Sequence, residues 1–133
     1  MVKNTLVVGR ELTKDMEFSG QFLLKKLKAD NLTVDAALWF YYPDLSWRYM
    51  LVIKEFHERG PAYVYKKISD INRSSISKKY KPIPLEAIEA KGDTDYVYKM
   101  LKGFSRISNS TIRITNSMVN GLEIVDCLIY ELK

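Results

Sequence analysis

The stretch AALWFYYPDLSWRYMLVI, residues 36–53, holds both tryptophans and three of the nine tyrosines of the chain. Two apolar runs flank Pro43–Asp44–Leu45–Ser46, and strand-formers on either side of a turn read as a β-hairpin. With those four residues as the loop, Tyr42 faces Trp47, Phe40 faces Tyr49 and Leu38 faces Leu51. Side chains alternate across a strand. One face then carries Leu38, Phe40, Tyr42, Trp47, Tyr49, Leu51 and Ile53, a core face. The other carries Ala37, Trp39, Tyr41, Arg48, Met50 and Val52. A hairpin with one wet side should be polar there, and this one is not. Aromatic, arginine and methionine enrichment marks interface cores. Trp39, Tyr41, Arg48 and Met50 are therefore a candidate interface, with a second copy of the chain as the partner it suggests; the plainer reading is that another layer of the chain covers this face.

The flanking segments place this hairpin in a domain. Thr13 to Ala29 reads as a helix, with Thr13 as N-cap, Asp15 and Glu17 in the first turn and Lys25, Lys26 and Lys28 in the last, as the helix dipole favours. Met16, Gly20, Leu23, Leu24 and Leu27 form its apolar stripe. The polar KEFHER (54–59) reads as a connection, and Gly60–Pro61 opens a second helix with Val64, Ile68 and Ile71 inward. NRSSISKKYKPIP (72–84) reads as a basic loop and PLEAIEA (84–90) as a weak strand. GDTDYVYKMLKGF (92–104) is a third helix, capped by Asp93 or Thr94. Asn120–Gly121 is a strong hairpin signal, joining Ile112–Met118 to a long final strand, Leu122–Leu132, suited to the middle of a sheet. The pattern predicts one α+β domain over residues 1–133. It has a mixed or antiparallel sheet of about five strands, two hairpins, and three helices mostly on one face.

Composition narrows the function classes. A chain of 133 residues with 47% hydrophobic residues supports one domain with a core. Its longest apolar run is too short to span a bilayer, and no secretory signal pattern opens the sequence. One cysteine leaves no disulfide framework and no cysteine-rich zinc site. These features lead us to expect a cytoplasmic protein with no membrane partner, and no cofactor is indicated. The triplets at Asn31, Asn72 and Asn109 are then chance matches to a glycosylation pattern.

The charge is +5. Between Pro61 and Pro82, Lys66, Lys67, Arg73, Lys78, Lys79 and Lys81 face one acid, Asp70, so the excess lies in this segment. Clustered lysine and arginine bind phosphate backbones through counterion release, and Tyr80 among them is placed to stack on a base. These seven residues are the candidate nucleic-acid or polyanion site. Lys99, Lys102 and Arg106 add a basic face to the third helix. The plainer reading of both is a solvated charged surface.

Three motifs bear on catalysis. His57 lies between Glu55 and Glu58, a pattern compatible with acid–base chemistry and equally with a solvated loop. Cys127, within the last strand, reads as a small core residue. Glu89–Ala90–Lys91 matches the acid–x–lysine element of metal-dependent nucleases, in which the acid helps hold magnesium and the lysine polarises water or phosphate. Asp35 or Asp44 would supply the second acid. A metal-dependent phosphodiester hydrolase is thus the alternative to a binding module, although no catalytic or metal set is complete in the sequence.

The run 36–53, with GPAYVYKKI (60–68) and ITNSMVNGLEIVDCLIYEL (114–132), resembles a pattern in small bacterial proteins of no assigned function. Ala37–Leu38–Trp39, a tyrosine near the turn, Trp47–Arg48 and the following apolar run carry the resemblance. It implies a stand-alone α+β domain and supplies no catalytic residues.

Overall fold

The computed structural model describes residues 5–74, 80–103 and 110–133. They form a mixed five-stranded sheet and four helices in the order α1 (Lys14–Ala29), β1 (Val34–Tyr42), β2 (Ser46–Ile53), α2 (Glu55–Arg59), α3 (Pro61–Ser74), β3 (Ile88–Lys91), α4 (Tyr96–Lys102), β4 (Ile112–Val119) and β5 (Leu122–Leu132). Strand order is β3-β2-β1-β5-β4. Only β2 and β3 run parallel; the other pairs are antiparallel. The α+β class is as the residue pattern predicts, with β5 inside the sheet and α2 added where a connection was expected. The cap of α4 is Asp95, whose carboxylate accepts from the Tyr98 N–H at 3.1 Å, one or two residues beyond the expected caps.

The hairpin register differs from expectation, and everything about the two faces follows from that. Tyr42 pairs with Ser46, Tyr41 with Trp47, Trp39 with Tyr49 and Leu38 with Met50. The loop is three residues, closed by the Leu45 N–H donating to the Tyr42 carbonyl at 2.9 Å. Ser46 adopts φ 96° and enters β2 already paired. A one-residue slip sends one strand's side chains to the opposite face. Trp39, Trp47, Tyr49 and Leu51 therefore share one face and Leu38, Phe40, Met50 and Val52 the other.

Both faces are covered by the chain itself. Helices α1 and α3 lie over the first, where Met16, Leu23, Leu27, Val64 and Ile68 pack with Trp39 and Tyr49. The second is closed by Tyr98 and Leu101 of α4, together with Val119 and Ile124 of the last hairpin. Trp39 and Met50 are both 0% exposed. Fully burying a Met-sized side chain contributes roughly 1.5–3 kcal/mol, so the fold itself uses the second face. The expected interface of Trp39, Tyr41, Arg48 and Met50 is overturned. Trp39 and Met50 are sealed on opposite sides of the sheet, and Tyr41 and Arg48 are left half-buried and apart.

Irregular backbone elsewhere also has local causes. A bulge between β1 and β5 passes from the Ala37–Glu131 pair to Leu38–Ile129, leaving Tyr130 as the extra residue. Tyr130 and Glu131 then both reach α1: the Tyr130 hydroxyl donates to the Glu17 carbonyl, and the buried Glu131 carboxylate takes the Lys28 ammonium at 2.9 Å. Asn120 (φ 51°) and Gly121 (φ 85°) turn β4 into β5 with the left-handed pair such a tight turn requires. No helix among the described residues is long and apolar enough to cross a membrane.

Candidate functional site

The described residues of the basic segment are engaged with acids. Lys66 Nζ and Arg73 Nη2 each lie 3.1 Å from a different oxygen of Asp70. Hydrogen bonds from Lys66 and then Arg73 hold the Asp70 carboxyl below its ordinary value. Lys67 bonds Asp30 at 2.6 Å, which raises its ammonium pKa, and Lys81 bonds Asp15 at 2.8 Å. These are surface pairs, screened and weakly held. Lys78, Lys79 and Arg106 lie outside the described residues.

Tyr80 is not a surface residue. Its ring is 0% exposed and its hydroxyl donates to Asn72 Oδ1. The same Asn72, on the inner side of α3, donates to the Ile83 carbonyl at 2.8 Å and accepts the Ile83 N–H at 3.2 Å. This clamp draws residues 80–83 against the core. Burial lifts the Tyr80 phenol well above its usual value. In this position the ring cannot receive a base.

The acid–x–lysine element is likewise occupied. Glu89 points at Arg48, 4.0 Å away, and bonds Tyr42, whose phenol burial and then Glu89 push up to about 12. Lys91 lies 3.9 Å from Asp95. Asp35 stands at a bulge in β1, two strands from Glu89, and Asp44 is exposed at the hairpin tip. Among the described residues no three of His, Cys, Asp and Glu come together as a metal site. His57 is on α2, packed against Gly92 and 3.4 Å from Asp93, while Glu55 accepts the Thr33 N–H instead. Cys127 is buried, and burial pushes its thiol up to about 12, the inert state of a core cysteine.

An open groove of about 670 Å³ runs beside the hairpin tip, with Leu45, Leu85, Arg48 and Arg73 on its walls. Both arginines are already tied, Arg48 to Glu89 and the Trp47 carbonyl, Arg73 to Asp70. The groove therefore presents little free positive charge, and the exposed Glu86 on its wall is an acid.

A second basic surface lies on α1, opposite its buried stripe. Phe18 and Phe22, one helical turn apart, stack with centroids 5.7 Å apart and ring planes 22° apart. Phe22 rests in turn on the buried Tyr80, at 4.7 Å, and Lys26 Nζ sits 5.4 Å from the Phe22 centroid. Three rings thus run from the interior to the surface, ending at Phe18, which is 41% exposed. Lys14, Lys25 and Lys26 are exposed on the same side and enter no ion pair among the described residues. The 80–82 strand of chain lies across this helix, fixed by the Ser19 hydroxyl donating to the Lys81 carbonyl at 2.8 Å. Sequence reasoning missed this surface. The signal was two phenylalanines at i and i+4 off the apolar stripe, with lysines at i−4 and i+8.

Comparison with known proteins finds no matching family model, no matching curated protein and no matching solved structure.

Proposed function

We propose that the protein is a binding module for a polyanion, with nucleic acid the class its chemistry fits. The observation that carries this reading is the outer face of α1: Lys14, Lys25 and Lys26 stand exposed and without acidic partners among the described residues. They share the helix with Ser19, whose hydroxyl holds the Lys81 carbonyl. Phosphate backbones reward such clusters by releasing counterions. The hydrolase reading has less support, because the Glu89 carboxylate is taken by Arg48 and Tyr42 rather than by a second acid.

A salt titration of the binding of labelled heparin and of an oligonucleotide duplex, followed by anisotropy, tests the proposal. Three phosphate-contacting lysines give a slope of about −2.7 in log affinity against log salt. Charge reversal at Lys14, Lys25 and Lys26 should flatten it. Absence of binding at low salt, or binding indifferent to salt, overturns the reading.

A further inference from the structure

We infer that the polyanion is a single-stranded nucleic acid, and that Phe18 is the platform on which one of its bases stacks. This rests on the polyanion reading above and names the ligand class for the same surface. Among the described residues the fold gives Phe18 one ring neighbour, Phe22, and it leaves 41% of the residue in solvent. A solitary exposed apolar side chain needs no explanation. This one is the end of a three-ring stack anchored on a fully buried tyrosine, so its position is set by the interior and not by chance surface packing.

The charges around it are arranged along the same helix face. Lys14 precedes Phe18 by one turn and Lys25 follows by two, about 6 Å and about 10 Å along the axis at the α-helical rise. A base on Phe18 therefore carries its flanking phosphates toward an ammonium on either side. The two acids nearby do not oppose this. Asp15 is held by Lys81 at 2.8 Å, and Glu17 lies about 100° around the helix from Phe18. Duplexes enclose their base faces, whereas a single strand offers one at every nucleotide, and aromatic platforms beside cations use that difference without reading sequence. The stacking role that the sequence suggests for Tyr80 passes along the ring stack to Phe18.

The test compares a labelled oligothymidylate, a duplex of equal length and heparin, each titrated into the full chain by anisotropy. Phe18→Ala should weaken the oligothymidylate roughly 5- to 150-fold, the range of one lost base–aromatic stack, and leave heparin unchanged. Phe18→Trp should restore the affinity, and its added fluorescence should be quenched by the single strand and not by heparin. Circular dichroism of both variants checks that α1 is intact. If heparin and duplex bind with salt dependence but Phe18→Ala affects all three ligands alike, the polyanion reading stands and this inference falls. If none of the three binds, both fall. If Phe18→Ala changes only the sedimentation of the protein, the ring meets a second copy of the chain and the inference is overturned.

Discussion

A Cβ placed on Gly20 would stand 2.7 Å from the indole nitrogen of Trp39, and also 2.7 Å from the hydroxyl of Tyr130. The missing side chain is what lets α1 lie close on the sheet. At that distance the polar tips of three buried aromatics reach helix carbonyls: Trp39 donates to Met16, Tyr49 to Gly20 and Tyr130 to Glu17. Buried indole and phenol groups need such partners, and a strand cannot supply them to its own side chains.

Gly20→Ala is accordingly expected to destabilise. A mid-helix alanine would by itself favour the helix by about 1 kcal/mol. Here the methyl meets groups that cannot swing aside, because Trp39 and Tyr130 both pack on Tyr49. Overpacking of this kind costs about 1–3 kcal/mol, and the displaced hydrogen bonds add to it. Urea unfolding should show a lower midpoint at unchanged slope. A raised midpoint would mean that α1 can lift without loss.

Asn72 is the next residue on which much depends. Removing its amide in Asn72→Ala takes a partner from the Tyr80 hydroxyl, the Ile83 N–H and the Ile83 carbonyl together. The Ile83 N–H and carbonyl, left unpaired, each cost about 1–3 kcal/mol. We expect a loss of at least about 2 kcal/mol on that scale, with faster amide exchange at Ile83. The loosened Tyr80 should also free Phe22, so oligonucleotide affinity should drop alongside stability. Unchanged exchange at Ile83 would show that the 80–83 segment is held by something else.

Stability should fall in alkali. The phenols of Tyr42, Tyr49, Tyr80 and Tyr130 are all raised, chiefly by burial, and the Cys127 thiol is raised to about 12 by the same cause. Unfolded, a thiol ionises near pH 8.5–9 and a phenol near 10. A raised native pKa means that the unfolded chain releases its proton first, so stability is complete below about pH 8.5 and declines as pH climbs toward 12. Ultraviolet titration of the native protein should show four tyrosines lagging, with their phenolate signal appearing only on unfolding. Uniform ionisation of all nine near pH 10 would contradict the burial described.

Much of this architecture is legible in the residues, and the exceptions have physical causes. The N-cap at Thr13, the Pro61 helix start and the Asn120–Gly121 turn are local, and each appears where its chemistry predicts. The hairpin register does not follow from local chemistry, because it turns on Ser46 taking a positive φ that serine seldom adopts. Tyr80 looks exposed among lysines; its burial depends on an asparagine on another element. Phe18 and Phe22 were readable at helical spacing, but their meaning depends on Tyr80 lying beneath them. The pairing of β3 with β2 links segments far apart in the chain, and no spacing announces it.

Ser46 carries the last prediction. Four non-glycine residues described have positive φ, and three are asparagines at 46–68°. Ser46, at 96°, is the exception. A side chain there is strained, typically by about 1–3 kcal/mol. Its hydroxyl offsets part of this by donating to the Gly9 carbonyl at 3.0 Å, an exposed bond of modest worth. Ser46→Gly removes both, and the balance favours glycine by about 0.5–1 kcal/mol. The thermal midpoint should rise while the tryptophan fluorescence, which comes from Trp39 and Trp47 in this hairpin and reports its register, stays the same. A lower midpoint would mean that tethering residues 5–10 to the hairpin matters more than the strain at its tip.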